Sequence, residues 1–264
     1  MPLITHISDL HFGRDLPTVT EGLLDCLDTI RPELIIISGD LTQRAKHREF
    51  AQAADFLSSL NQPYMIIPGN HDIALHRLPE RFFYPWDKWR KYIGSNLEPV
   101  LHREDFTAVG INTARRMGLH PDWSRGRINR LQINRARQVF TQTPPQRLRI
   151  LVAHHPFWLP QSSLNRSLVG RCNTALRAFR EIEVDLILGG HIHLAYVEPV
   201  SGMIISHAGT TISHRLIDGQ PNSFNLIRGD RQQLKIEQWE WHDHAFRPCS
   251  QHTFHRTERG WQQR

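Results

Sequence analysis

Short, unbroken apolar runs alternate along the chain with stretches in which apolar residues return every three or four positions. Leu3-Ile4-Thr5-His6-Ile7 is followed by Val19, Leu23, Leu27 and Ile30, spaced as one face of a helix. Leu34–Ile37 precedes a second helical stretch, Ala45 to Leu60, with Phe50, Ala54 and Leu57 on its apolar face. Tyr64–Ile67, Ala108–Ile111, Leu148–Val152 and Leu186–Leu188 continue the series. Consecutive apolar residues of this kind predict strands buried on both faces, and their alternation with helices predicts an α/β architecture. From Met203 onward the pattern changes. Met203–Ile205, Phe224–Ile227 and Leu234–Trp239 succeed one another without long helices, the last two joined through Gly229-Asp230, a hairpin signal. These C-terminal runs predict a second, more antiparallel sheet packed on the first.

The polar residues just after each apolar run carry the chemistry. Ser8-Asp9-Leu10-His11 comes after the first run, Ser38-Gly39-Asp40 after the second, and Pro68-Gly69-Asn70-His71-Asp72 after the third. Ala153-His154-His155-Pro156 comes after Leu148–Val152, and Gly189-Gly190-His191-Ile192-His193 after Leu186–Leu188. Alone, any one of these is ordinary turn chemistry at a strand end. Five strands that each deliver Asp, Asn or His at the carboxyl end make a site, because loops leaving parallel strands converge at that edge. Gly39, Gly69 and Gly190 stand beside the ligands, where the backbone needs positive φ or a close approach.

Composition narrows the class. Hydrophobic residues make up 39% and charged residues 22%, as in globular rather than disordered chains. At 264 residues such a chain buries roughly 73% of its unfolded surface and needs no staples. It reads as one domain, 1–264, with its motifs in 3–211 and a C-terminal β-hairpin and tail in 212–264. Cys26, Cys172 and Cys249, odd in number and widely spaced, fit a reducing compartment. No apolar run approaches the roughly 20 residues of a membrane span. The first residues also lack the pattern of a secretory signal, so a cytoplasmic location is expected.

The net charge of +6 favours anionic ligands. Its densest part is Asn112–Ile150, with nine arginines against the single acid Asp122. The arginines from Arg130 to Arg149 read as a solvated helix face. Arg115, Arg116, Arg125 and Arg127 lie in a loop-like segment and are better placed to face phosphate, with nucleic acid as an alternative ligand. Phe82, Phe83, Tyr84, Trp86, Trp89 and Tyr92 read as a helix folded onto the body, with base stacking the sharper alternative. His6 reads as a core residue, and His242, His244, His252 and His255 as solvent-exposed.

The candidate ligand set is carboxylate, imidazole and one amide oxygen, without thiolate. It suits manganese, iron, cobalt, zinc or nickel, and it exceeds the needs of one ion, so two ions sharing a carboxylate are the economical reading. Two ions roughly 3.5–4 Å apart can activate a bridging hydroxide and clamp the oxygens of a phosphoryl centre. Asp-x-His, Gly-Asp, Gly-Asn-His-Asp, His-His-Pro and Gly-His-x-His, in this order between Leu3 and Thr211, resemble the signature of the calcineurin-like metallophosphoesterases. The spread resembles their class III cyclic nucleotide phosphodiesterase branch.

That resemblance implies a four-layer α/β/β/α sandwich of two mixed β-sheets flanked by helices, and a pair of metal ions, manganese and iron foremost. It implies one ion on Asp9, His11, Asp40 and His193 and another on Asp40, Asn70, His154 and His191, with Asp40 bridging. His154 is preferred to His155 because the family ligand stands two residues before a proline. His71 is the implied acid for a leaving alkoxide, or the group that stabilises its charge. His155, Arg115, Arg116 and His207 are candidate substrate contacts, and Asp72 is a candidate for orienting a ligand.

The implied activity is hydrolysis of a small phosphodiester, 3′,5′-cyclic AMP being the first to try, by a metal-bridging hydroxide. A DNA nuclease is one competitor. Another is a UDP-2,3-diacylglucosamine pyrophosphatase, although that type carries Gly-Asn-Arg-Asp where this chain has Gly-Asn-His-Asp. A non-catalytic metal-binding scaffold is disfavoured because every ligand position is filled. Family enzymes are often homodimers, but no residue pattern here marks an interface.

Overall fold

The computed structural model describes residues 1–74, 77–117 and 123–264; Asp122, the lone acid of the arginine-rich stretch, lies outside the described residues. In chain order the first elements are β1 (Leu3–Ile7), α1 (Pro17–Ile30), β2 (Leu34–Ile37), α2 (His47–Ser58) and β3 (Tyr64–Ile66). Two short helices, α3 (Leu78–Phe83) and α4 (Asp87–Tyr92), precede β4 (Val100–His102) and β5 (Phe106–Ile111). Then come α5 (Arg130–Gln142), β6 (Leu148–Ala153), α6 (Cys172–Glu181) and β7 (Leu186–Gly189). The remaining strands are β8 (Tyr196–Val200), β9 (Met203–His207), β10 (Ser223–Gly229), β11 (Gln233–His242), β12 (Ala245–Thr257) and β13 (Gly260–Gln263).

Local chemistry explains the helix ends. Pro17 occupies the first turn of α1, where its missing N–H is not needed, and Arg31 ends the helix in the left-handed region at φ 51°. Asn129 and Gln132 close a reciprocal cap on α5: Gln132 N donates to Asn129 Oδ1 and Asn129 N to Gln132 Oε1, both at 2.8 Å. In α2 the buried stripe is Phe50, Ala53, Phe56 and Leu57, so Ala53 rather than Ala54 faces the core. The aromatic segment is two helices rather than one. Pro85 disfavours helical backbone at Tyr84 (φ −133°, ψ 45°), so Trp89 is buried while Phe83 and Tyr84 are exposed.

Two sheets result, with strand orders β13-β12-β11-β10-β1-β2-β3 and β4-β5-β6-β7-β9-β8. The antiparallel C-terminal strands therefore do not build a second sheet of their own. β10 runs antiparallel beside β1, pairing Ile4 with Ile227, and carries β11, β12 and β13 into the first sheet. β9 instead joins the second sheet parallel to β7, which is parallel throughout β5, β6, β7 and β9.

The central strands of each sheet, among them β2, β6 and β7, are buried on both faces, whereas β11, β12 and β13 leave part of theirs exposed. In β2, Leu34 and Ile36 point between the sheets, with Ile150, Leu188 and Phe254 in the same cluster. Ile35 and Ile37 point the other way, into a cluster with Leu23, Phe50 and Trp89 from α1, α2 and α4. On the far side Val109 and Leu151 pack with Phe140 and Phe179 from α5 and α6. The layers are thus α/β/β/α.

At the end where β7 begins, buried Asp185 ties the sheets together. Its carboxylate meets Arg231 Nε at 2.9 Å and Trp261 Nε1 at 3.1 Å, and it pairs with Arg256. Arg149 belongs to this group and not to a solvated helix face. It lies buried on β6 and donates to the Ile182 carbonyl at 2.7 Å, because the arginine-rich run continues past the helix into a strand.

Candidate metal centre

The carboxyl ends of β1, β2 and β3 meet those of β6 and β7 across the two sheets, and the five polar loops come together there. Asp9 N donates to the Gly39 carbonyl and His11 N to the Asp40 carbonyl, both at 3.0 Å. Between the sheets, His191 N donates to Asp9 Oδ2 at 2.9 Å. The loops bend sharply to aim their side chains. Asp9, His11, Asp40, His191 and His193 all adopt left-handed backbone, φ 47° to 74°, a conformation that costs non-glycine residues roughly 1–3 kcal/mol each and clusters at functional sites. Gly39, at φ 111°, lets the chain turn into Asp40; Gly69 has no room for a side chain because one would strike the Asp40 carboxylate.

Two groups of donors face each other. Asp9, His11 and His193 form one, and Asp40, His154 and His191 the other, the donor atoms of each lying within 4.8 Å. In the first, His11 Nε2 and His193 Nε2 are 3.1 Å apart, and Asp9 Oδ1 is 3.6 and 3.3 Å from them. The opposite ring nitrogens face carbonyls: His11 Nδ1 donates to Thr42 O at 3.3 Å and His193 Nδ1 to Arg215 O at 2.6 Å. With Nδ1 protonated, a neutral ring presents a lone pair at Nε2. Two imidazole lone pairs and a carboxylate oxygen with no hydrogen-bond donor then converge on one point. That arrangement repels itself and fits a cation.

The second group repeats the logic. His154 Nδ1 donates to Ser38 O at 2.9 Å, so Nε2 faces Asp40 Oδ2 at 3.2 Å without hydrogen-bond alignment. Asn70 Oδ1 lies 2.9 Å from His191 Nδ1, which places the amide among the same donors. Asp40 stands between the groups: Oδ2 is 3.8 Å from His11 Nε2, while Oδ1 accepts from His71 N at 2.8 Å.

Electrostatics agree with the geometry. Burial alone would raise Asp9 and Asp40, but His193 beside Asp9 and His154 beside Asp40 hold both well below the usual carboxylate range. Burial opposes a charge on His154, yet Asp40 lifts it to about 9; His193 is raised in the same way by Asp9. Burial pushes His11 down to about 4 and His191 to about 3. Without metal, the carboxylate in each group thus favours a proton on its neighbouring imidazole, His154 beside Asp40 and His193 beside Asp9.

His71 lies at the rim. Its Nδ1 donates to the Gln43 carbonyl at 2.8 Å, leaving Nε2 toward the cleft, and its ring meets His11 edge-on at 4.9 Å. Asp72 accepts from Leu41 N, Thr42 N, Thr42 Oγ1 and Gly69 N at 2.9 to 3.2 Å, fastening the loops that carry Asp40 and Asn70. Burial and the nearby Asp40 carboxylate push it up to about 7, against those donors. His155 is brought to the cluster: its ring lies 4.7 Å from that of His191, and Thr113 Oγ1 is 2.6 Å from its Nδ1.

The other substrate candidates go elsewhere. His207 is fully buried behind the site, stacked on Tyr196 at 4.6 Å, with Nδ1 donating to Gly190 O at 2.9 Å; burial on β9 removes it from substrate. Arg115 bonds the Arg127 carbonyl and Gln132 Oε1, and Arg116 donates to Phe82 O at 3.2 Å. They line a cleft of about 860 Å³ with Trp86, Arg90 and Arg135 and make no bond to the metal-ligand cluster. His6 is a sheet residue, bonded to Ser38 Oγ at 2.9 Å. His242 and His244 are exposed, whereas His252 and His255 are half-buried on β12.

Sequence reasoning missed Arg215. It stands 22 residues after His193 in a polar segment with no apolar run to register it, yet its Nη1 donates to His71 Nε2 at 3.1 Å and lies 3.2 Å from His11 Nε2.

The calcineurin-like phosphoesterase family model matches residues 2–195, and the chain belongs to that family. It is similar to the 3′,5′-cyclic adenosine monophosphate phosphodiesterase CpdA of Escherichia coli K12, 24% identical over 189 residues covering 63% of this chain and 58% of that protein. The chain thus spans less than two thirds of that relative. A probable glycerophosphodiester phosphodiesterase GpdQ of Arcobacter nitrofigilis is 22% identical over 205 residues, 72% of this chain and 71% of its own length. In fold, the chain resembles purple acid phosphatase PPD1 from yellow lupin (TM-score 0.69, 14% identity, 98% of this chain and 54% of that one). It also resembles a dimetal phosphatase from Danio rerio (TM-score 0.66, 13% identity, 90% and 96%). Among the described residues no helix is long and apolar enough to cross a membrane.

Proposed function

We propose that this chain is a metal-dependent phosphodiesterase acting on a small phosphodiester, with 3′,5′-cyclic AMP the first substrate to test. The observation that carries this reading is the convergence of imidazole lone pairs and buried carboxylates in two adjoining groups, with a histidine at their rim. Asp9, His11, Asp40 and His193 would hold one ion and Asp40, Asn70, His154 and His191 the other. When bound, such a pair of ions polarises phosphoryl oxygens and supplies a water ionised near neutral pH. The chain's own residues do the rest. The carbonyls of Thr42, Arg215 and Ser38 fix the tautomers of His11, His193 and His154. His71, held by Gln43 O and Asp40 Oδ1, aims Nε2 at the cleft and, when protonated there, donates to the departing alkoxide.

CpdA and GpdQ are both phosphodiesterases by name, which supports a diester over a monoester. Arg115 and Arg116 each spend a donor on the chain's own carbonyls, which favours the small diester over the nuclease reading. The test is a metal-reconstituted assay of bis(p-nitrophenyl) phosphate against p-nitrophenyl phosphate, then of cyclic AMP, a glycerophosphodiester and single-stranded DNA. Diester preference is expected, and a strong monoester preference would overturn the assignment. His71→Ala should lower turnover on alkoxide-leaving substrates by roughly 10²–10⁴-fold, and far less on nitrophenyl esters. Equal losses on both would remove its role as acid.

A further inference from the structure

We propose that Arg215 binds a non-bridging oxygen of the substrate phosphoryl group and supplies a cationic side chain to this site, whereas Arg115 and Arg116 bond carbonyls of the chain itself. The proposal rests on the phosphodiesterase reading for its substrate, but its geometry is independent of it.

The backbone at Arg215 is built into the metal-ligand scaffold. Its carbonyl accepts from His193 Nδ1 at 2.6 Å, and its N–H donates to Ser213 Oγ at 3.2 Å. Ser213 is itself held: its Oγ is 2.6 Å from Thr210 Oγ1, and its carbonyl accepts from Asn222 Nδ2 at 2.8 Å. Leu16 N donates to Ile212 O and His214 N to Arg14 O, pinning the segment to the loop after β1. The root of the side chain therefore moves with His193.

The guanidinium reaches over the ligands. Nη1 is 3.1 Å from His71 Nε2, and 3.2 and 3.4 Å from the two ring nitrogens of His11. Among the described residues no carboxylate pairs with it, so a half-buried cation stands in the cleft facing only imidazoles. A guanidinium can only donate, and the His11 Nε2 lone pair cannot serve both an N–H and a metal ion. Once that lone pair is engaged by a metal and His71 carries its acidic proton at Nε2, Nη1 loses both imidazole acceptors and keeps free donors beside His71. A phosphoryl oxygen carries the negative charge and acceptor capacity that these donors lack, and the planar fork matches two such oxygens as an ammonium would not.

The test uses the metal-loaded full chain, with the metal content of every sample measured. Inorganic phosphate binding is monitored by calorimetry, and kcat and KM are measured on bis(p-nitrophenyl) phosphate. Arg215→Ala should keep two ions per chain and bind phosphate roughly 10- to 100-fold more weakly, with KM raised. Arg215→Lys should recover only part of the loss, while added guanidinium ion should restore the alanine variant and leave the wild type unchanged. Arg116→Ala should keep wild-type phosphate affinity. Unchanged phosphate affinity in a metal-replete Arg215→Ala protein overturns the proposal, and so does loss of the metals themselves, which would make Arg215 structural. A wild type that binds phosphate through Arg215 yet cleaves no phosphodiester would defeat the functional reading and leave the phosphoryl contact standing.

Discussion

Loading this site with metal must expel protons, and the number is set by His154. In the metal-free protein, the buried Asp40 carboxylate 3.2 Å away raises His154 to about 9. At pH 7 the ring is then about 99% protonated, two units below its pKa. A ligand must be deprotonated to bind, so metal affinity at pH 7 should be roughly 100-fold weaker than its value near pH 9, about 3 kcal/mol. It should rise about tenfold per pH unit up to that point and flatten beyond it. His193, raised by Asp9, adds to the release. Titration calorimetry with manganese, repeated at pH 7 in buffers of different ionisation enthalpy, counts the protons directly. Between one and two per chain are expected. Asp40→Asn removes the charge that holds the His154 proton, so in the metal-free variant NMR titration of that ring should give a pKa well below about 9. A proton count near zero in the wild type, or an affinity flat from pH 7 to pH 9, would refute the reasoning.

The same contacts set three other outcomes. Asp40→Ala should lose both ions by elemental analysis, since its carboxylate stands between the two groups; retention of two per chain rules out the shared position. The metal-free protein should be most stable near pH 6.5–7. Below that, His6, His11, His191 and His207, all buried and held down at about 3 to 4, refuse protons that the unfolded chain accepts. With His155, which burial also holds well below the usual imidazole range, they outweigh Asp72, whose raised pKa acts in the opposite sense, so chemical denaturation should show a loss on the order of 5 kcal/mol per pH unit. Above pH 7, His154 gives up its proton through about 9 and stability falls again; a profile rising from pH 7 to pH 9 would contradict this. Asp185→Ala, at the opposite end of the sandwich, should cost about 3–5 kcal/mol in urea unfolding by stranding Arg231 and Arg256. Its manganese affinity should stay at the wild-type value.

The legible parts of this molecule are those with a local signature. Leu34–Ile37 announces a strand buried on both faces, and the structure divides it into Leu34 and Ile36 between the sheets and Ile35 and Ile37 against the helices. Asp9, Asp40, Asn70, His154 and His191 are readable because each comes directly after such a run. Sheet membership is not readable. Met203–Ile205 and Phe224–Ile227 look alike, yet one pairs with β7 and the other with β1, a choice made by partners far away in sequence. The arginine stretch misleads for a related reason: Arg149 is a strand residue whose charge is met by Glu183 and the Ile182 carbonyl, neither visible from its neighbours. Arg215 belongs to no strand and no motif. Only the folded loop brings it to His71.

The central claim is that seven side chains from five loops enclose two cations that share Asp40. Anomalous scattering from crystals reconstituted with manganese tests it most directly. The account predicts two peaks roughly 3.5–4 Å apart on either side of the Asp40 carboxylate, one against His11 and His193 and the other against Asn70, His154 and His191. A single peak, or peaks away from Asp40 with the five loops unchanged, would contradict it.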